Sequence, residues 1–361
     1  MQTLNNLTSL KGQKVLLRAD FDVPISDGKI YESFRIKKQK KTIDYLLNKG
    51  ARVLIIAHVS DIDSFEPLLS QLDNILGRKI VCIKDYKKIE SEFSHSPDEN
   101  LFLLDNVRKW DGEKENDEAF AKELAEGFDV YINNAFAVSH RAHASVSAIT
   151  DILSSYAGLI IEDEIANLSK ALEYPSEGKI FIMGGAKAST KIPVIKNFID
   201  RSKKVLIGGV IANDILKKQG VDINGSKFDE DFNELLSGLN IADPRIVMPS
   251  DYNIFEGKYL DIGSKSVSNF REIILNAKII IWNGPMGMFE DGRFANGTDG
   301  VAQAVVDSQA FKIIGGGDTI SAVDKFGLDK FDFVSTGGGA MLTFLSGEKL
   351  PGLDALDYYG K

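Results

Sequence analysis

At 361 residues the chain is long enough for two domains, and its 43% hydrophobic and 26% charged content suits a soluble globular protein. Forty-three Lys and Arg against 52 Asp and Glu leave a net charge of −9, which argues against general affinity for nucleic acid or an anionic membrane. The single cysteine, Cys82, excludes an internal disulfide and a cysteine-built zinc site, and no apolar run reaches membrane-spanning length. A cytoplasmic enzyme or binding protein is the expectation.

In chain order, residues 14–18 predict a buried strand that runs into Asp20, Asp22 and Pro24. A helix is expected over Lys38–Lys49, a second strand over Val53–Ala57 ending on His58, and a helical stretch from Phe65 to Leu76. Short strands follow at Ile80–Ile83 and Asn100–Leu104, then an acidic helix near Asp117–Glu126 and a strand at Asp129–Ile132. Between Ile149 and Pro175 the pattern reads as one long helical segment, with no flexible linker between the two halves.

The second half differs in its turns. Apolar runs lead into Gly184-Gly185-Ala186-Lys187, Gly208-Gly209, Asn283-Gly284-Pro285-Met286-Gly287, Gly315-Gly316-Gly317-Asp318-Thr319 and Gly337-Gly338-Gly339, with one more strand near Arg245–Met248. Strands alternating with helices predict parallel sheets, whose ligands bind beyond the carboxyl ends of the strands. Five glycine-opened turns on one such edge predict a nucleotide site in which bare backbone amides approach phosphates, with Asp318 beside them as a carboxylate for Mg²⁺. The first half instead offers Arg18, Arg35, His58, Arg108, His140 and Arg141 at or near strand ends. Guanidinium groups grip phosphate and carboxylate bidentately, so this half predicts a site for a small anionic substrate. A polyanion on one domain and a nucleotide on the other, brought together by closure, fits a phosphoryl-transfer enzyme. The P-loop, the Gly-x-Gly-x-x-Gly fingerprint, His-Glu-x-x-His and Gly-x-Ser-x-Gly do not occur, which disfavours a nicotinamide dehydrogenase and a zinc hydrolase.

Seven segments resemble, in order, motifs of the phosphoglycerate kinase family. They are Arg18-Ala19-Asp20-Phe21-Asp22-Val23-Pro24, Asn106-Val107-Arg108, His140-Arg141-Ala142-His143, Gly184–Lys187, Trp282–Gly287, Gly315–Thr319 and Ser335–Gly339. The resemblance implies two Rossmann-like three-layer α/β domains, each with a mainly parallel sheet, joined by a helix. The implied boundaries are 1–157 with the tail 347–361 returning to it, a connecting helix 158–178, and a nucleotide-binding domain 179–346. The implied reaction is Mg²⁺-dependent transfer between ATP and 3-phosphoglycerate in a cytoplasmic monomer. Asp20, Asp22, Arg35, His58, Arg108, His140 and Arg141 would surround 3-phosphoglycerate. Arg35, Lys187 and Lys191 would neutralise the transferring group, and Asp318 would hold Mg²⁺. Gly184, Gly185, Lys187, Lys191, Gly209, Asn283, Pro285, Glu290, Gly315, Gly316, Gly317, Asp318 and Thr319 would surround ATP or ADP.

The chain also departs from the family's pattern. Asp22 stands where an asparagine is usual, and His58 is followed by Val59-Ser60-Asp61 where Leu-Gly-Arg is usual. Asn134, Ala137, Thr190 and Val210 are further replacements, and the segment Asp251–Tyr259 is short, leaving Phe255 as the nominated adenine wall. At about 6 Å and an effective dielectric near 20 a unit charge is worth roughly 3 kcal/mol, so two extra carboxylates matter if they face the substrate. The rival reading is a nucleotide-binding paralogue with weak or altered acceptor activity.

Overall fold

Residues 1–7, 9–96 and 98–360 are described by the computed structural model, and they form two α/β units. One unit comprises Met1–Ile165 with the C-terminal residues from Lys349 onward; the other comprises Ala166–Glu348. The division falls inside the helix Leu159–Glu173.

In the first unit the strands are β1 (Lys14–Arg18), the small hairpin β2 (Ile25–Ser26) and β3 (Lys29–Ile30), β4 (Arg52–Ile56), β5 (Val81–Ile83), β6 (Leu101–Leu104), β7 (Val130–Asn133) and β8 (Ser155–Ala157). Six of them make a parallel sheet in the order β5-β6-β4-β1-β7-β8. The residues of β6 and β7 are buried throughout, because helices cover both faces of a parallel sheet and leave no solvent-facing alternation. Val15 and Leu17 face one hydrophobic cluster with Ile43 and Leu46 of the helix Phe34–Asn48, whereas Leu16 faces the other with Phe120 and Leu124 of the helix Glu118–Ala125. The C-terminal tail is anchored on this unit, where the Gly352 amide donates to the Ser139 carbonyl at 2.8 Å.

The second unit has β9 (Lys179–Met183), β10 (Lys204–Ile207), β11 (Ile246–Val247), the antiparallel hairpin β12 (Tyr252–Phe255) and β13 (Lys258–Ile262), β14 (Ile279–Asn283), β15 (Phe311–Gly315) and β16 (Phe333–Ser335). Its parallel sheet runs β11-β10-β9-β14-β15-β16. Numbered within the sheet this is 3-2-1-4-5-6, the order of dinucleotide-binding folds, with its switch point between β9 and β14.

Two segments differ from expectation. The span from Ile149 to Pro175 is not one helix: a 3-10 turn at Ala148–Asp151 and the edge strand β8 precede the helix Leu159–Glu173. Three residues beginning with a serine carry too little periodicity to register, and β8 exists because Ser155, Tyr156 and Ala157 pair with Tyr131, Ile132 and Asn133. The hairpin of β12 and β13 likewise lies where the sequence predicts no strand, in the short segment after Asp251.

Candidate active site

The strand order of the first unit reverses between β1 and β7, and the cationic side chains gather at this carboxyl edge. Arg35 lies in the first turn of the helix Phe34–Asn48, donates to the Asp22 carbonyl at 2.8 Å and sits 3.8 Å from the Asp20 carboxylate. Asn106 follows β6 and donates to the carbonyls of Val59 at 2.7 Å and Ile62 at 3.0 Å, which fixes the loop after β4. Arg108, in the next turn, reaches Ser60 Oγ at 3.3 Å. Burial and then the neighbouring Arg141 push the Arg108 guanidinium pKa down, the signature of cations sharing one field. Arg141 is exposed and donates to His140 Nε2 at 3.3 Å; burial and Arg141 in turn keep the His140 imidazole pKa low, consistent with that nitrogen accepting.

Two strand-end residues turn inward. Arg18 is fully buried, donating from Nε to Ser145 Oγ at 2.8 Å with Glu113 Oε1 4.0 Å from its NH2 group. It is a core residue rather than a free cation for substrate. His58 is also fully buried, its Nδ1 at 3.2 Å from Arg18 NH2 and its Nε2 at 3.3 Å from Asp22 Oδ2. Asp61, an expected hazard for an anionic substrate, accepts the Ile25 amide at 2.8 Å. Asn134 is buried under the sheet edge, accepting from Thr42 at 3.0 Å and donating to Gln39 at 2.7 Å.

In the second unit a cavity of about 260 Å³ opens beside the β9 and β14 termini. Val210, Leu260, Met286 and Met288 give it apolar walls, while Glu290 and Asp318 stand among its polar lining residues. Tyr252 and Tyr259 from the hairpin also line it, ring centroids 4.9 Å apart, so the shortened segment does supply aromatic walls. Phe255 is not among the lining residues: it is 42% exposed and lies under the Arg293 guanidinium at 4.8 Å.

Gly185 and Gly209 are among the cavity's lining residues, and the glycine turns also bond to one another. Gly185 N donates to Pro285 O at 2.7 Å, Gly209 N to Met286 O at 2.9 Å, Gly184 N to Asn283 O at 3.0 Å and Val210 N to Gly185 O at 3.0 Å. The turns after β9, β10 and β14 are knitted to one another, so their amides are engaged rather than bare. A side chain at Gly284, where φ is +92°, would overlap the Gly184 carbonyl. Free first-turn amides remain at the helix Gly317–Val323, where Gly317 has open space around it and the helix geometry leaves its leading N–H groups without intrahelical acceptors. Gly284→Ala therefore destabilises the second unit by about 2–4 kcal/mol, from positive φ plus overpacking. Gly317→Ala leaves stability within about 0.5 kcal/mol. Urea unfolding read by the buried Trp282, in a Trp110→Phe background, separates the two.

Asn283 and Thr319 brace this edge. Asn283 Nδ2 donates to Gly315 O at 2.8 Å, and Thr319 Oγ1, fully buried, accepts from Gly284 N at 2.7 Å. Gly316, at φ +98°, turns the chain from β15 into the helix that carries the exposed Asp318 in its first turn. Lys187 precedes the helix Ala188–Phe198 and is exposed, whereas Lys191 within it is buried. Burial pushes the Lys191 ammonium down to about 8; the Asp318 carboxylate offsets part of that loss and Lys187 adds to it. One carboxylate beside two lysines is a donor set that suits Mg²⁺, an ion that keeps several waters and binds through few carboxylates. Among the described residues no group of three or more acidic, His or Cys side chains forms a self-sufficient metal cage.

Sequence reasoning did not find Glu113, Ser145, Tyr252 or Tyr259. The two tyrosines carried a weak signal in lying, with Phe255, on either side of a Glu256-Gly257 turn. Glu113 carried none.

Residues 4–348 match the family profile described as phosphoglycerate kinase. Curated relatives of that name include those of Dictyoglomus turgidum, 39% identical, and Wolbachia sp. subsp. Drosophila simulans, 40% identical, each match covering 96% of both chains. Among solved structures, the phosphoglycerate kinase of Pyrococcus horikoshii OT3 superposes with a TM-score of 0.89 at 31% identity, covering 99% of this chain and 98% of that one. That of Coxiella burnetii gives 0.82 at 32% identity, covering 99% of each chain. With its switch-point cavity, its cationic edge and a match over nearly its whole length, the chain belongs to the phosphoglycerate kinase family.

Proposed function

We infer that the protein is a phosphoglycerate kinase, catalysing reversible phosphoryl transfer between ATP and the carboxylate of 3-phosphoglycerate to give ADP and 1,3-bisphosphoglycerate. What supports this most is the presence in one chain of two chemically distinct edges, a guanidinium edge and a cavity edge flanked by Lys191 and Asp318. The acceptor carboxylate is already an anionic nucleophile, so no general base is required, and the work of the protein is positioning and charge stabilisation. Arg108 and Arg141 hold the acceptor's anionic groups, and Arg35 meets the transferring phosphoryl group as its phosphorus bonds to the acceptor carboxylate oxygen and parts from the β-phosphate oxygen of ADP. The first-turn amides of the helix Gly317–Val323, with Lys187 and Lys191, take the nucleotide phosphates. The cavity walls take the base, and Glu290 takes ribose hydroxyls. Asp318 would hold Mg²⁺, which supplies charge neutralisation across the phosphate oxygens when bound.

The test is 3-phosphoglycerate-dependent ADP formation from Mg·ATP, coupled to removal of the bisphosphate product. Arg35→Ala and Asp318→Ala each reduce kcat/KM by at least about a hundredfold. Absence of turnover in the parent protein, with Mg·ATP binding intact, would leave a nucleotide-binding paralogue in place of the kinase.

A further inference from the structure

Two turns of the first unit clasp each other over the buried ring of His58. Asp22 Oδ1 accepts the Ser60 amide at 2.8 Å, and reciprocally Asp61 Oδ2 accepts the Ile25 amide at 2.8 Å. Each turn thus lends a carboxylate to the backbone of the other. Beneath them, Arg18 NH2 lies 3.2 Å from His58 Nδ1. A guanidinium can only donate, so Nδ1 is the accepting nitrogen and a neutral ring carries its proton on Nε2. Burial and the Arg18 charge keep the ring neutral by lowering its pKa, although Asp22 pulls the other way. His58 Nε2 is shut off from solvent and has no aligned hydrogen-bond acceptor; Asp22 Oδ2 lies 3.3 Å from it as a neighbouring charge. Burial opposes the charge of Asp22, yet His58 and Ser60 outweigh it and hold the carboxylate ionised far below the usual range.

We propose that Asp22 is an internal anion of the acceptor site, holding the Ser60 N–H and lying against the His58 Nε2–H, donors that an acceptor oxygen would otherwise take, and so sets how strongly anionic acceptors bind. This role presupposes the acceptor assignment made above. Asp22 has 30% of its side chain exposed, so its charge also faces whatever enters between Arg35 and Arg108. Asp61 is exposed and tied to Ile25, so its charge is screened by water and matters less. The two acids therefore differ in effect although they form one clasp.

The experiment compares the full chain with Asp22→Asn and Asp61→Asn, titrated calorimetrically with 3-phosphoglycerate and separately with inorganic sulfate at one ionic strength. Asparagine keeps an oxygen for the backbone amide and removes only the charge. Asp22→Asn binds both anions at least about tenfold tighter, and Asp61→Asn gains less than about threefold. In the parent, ¹⁵N spectra place the His58 proton on Nε2, and that resonance moves in Asp22→Asn. Anion affinities in Asp22→Asn equal to or below those of the parent overturn the proposal, as does a neutral ring protonated on Nδ1. Should 3-phosphoglycerate bind neither protein, the acceptor reading fails while the sulfate comparison still decides the role of Asp22.

Discussion

Lys191→Met lowers kcat/KM for Mg·ATP by about two to three orders of magnitude while the protein stays folded. The ammonium is buried, its nearest charged neighbours are Asp318, Lys187 and Asp229, and an alkyl chain of similar length fills its channel. A desolvated cation acts on phosphate charge far more strongly than an exposed one, so the buried Lys191 contributes more per charge than the exposed Lys187. The same burial fixes a pH signature. The folded pKa of about 8 lies below the ordinary 10.5, so between those values the native state binds fewer protons than the unfolded chain and its stability rises with pH. Phosphate binding has the opposite sign, since it needs the proton. Nucleotide affinity falls as pH climbs past about 8, approaching tenfold per unit, and Lys191→Met abolishes this dependence. Calorimetric titration with Mg·ADP from pH 7 to 9.5 checks both. A pH-independent parent would remove Lys191 from the phosphate site.

The strand ends were legible because apolar runs stop at a charged or polar residue, such as Asp20, His58 or Asp105, or at a glycine. Backbone topology then follows from alternation with helices, and the switch points of both sheets fall where the motif residues are. What the residues could not reveal was what each polar group faces. Gly184, Gly209 and Gly284 do mark close backbone approach, but a sequence cannot say whether the approaching group is a phosphate or another turn. All three lie against another turn, and Gly209 also lines the cavity. Charge counting treats Asp22 and Asp61 as two like charges pointed at an anion, whereas backbone amides engage both. Arg18 and Arg35 read alike beside β1 and on the following helix, yet one is sealed in the core and the other reaches the Asp22 carbonyl at the edge. Such distinctions depend on partners from 13 residues away for Arg35 to 127 for Arg18, and Glu113 is the partner that decides the case of Arg18.

Glu113→Ala destabilises the first unit by about 3–5 kcal/mol, the cost of leaving a buried cation without its counter-charge. Glu113 is fully buried, with Oε1 accepting Ser145 Oγ at 2.7 Å, Oε2 accepting Ser145 N at 2.9 Å and His143 Nδ1 3.6 Å from Oε1. It thereby latches the segment that follows Arg141 onto β1 through Arg18 and Ser145. Burial alone would raise its pKa; His143, Arg18 and Ser145 together outweigh burial and lower it below the usual 4.5. A depressed carboxylate stabilises the fold above its unfolded pKa, and that contribution is lost as pH falls through the folded value. The parent therefore loses stability below about pH 4.5, and Glu113→Gln, which has no proton to take up, shows a shallower loss over the same range. Replacing both partners separates charge from packing. Arg18→Met with Glu113→Leu removes the pair altogether, and recovers at least about half of the stability lost in Glu113→Ala, because neither charge is then stranded. Urea unfolding followed by Trp110 fluorescence in a Trp282→Phe background reads all four proteins. A double variant no more stable than Glu113→Ala would mean that Glu113 acts through its hydrogen bonds to Ser145 rather than through Arg18. The KM for 3-phosphoglycerate would then rise in both variants together, since the loop that carries Arg141 would be loosened equally in each.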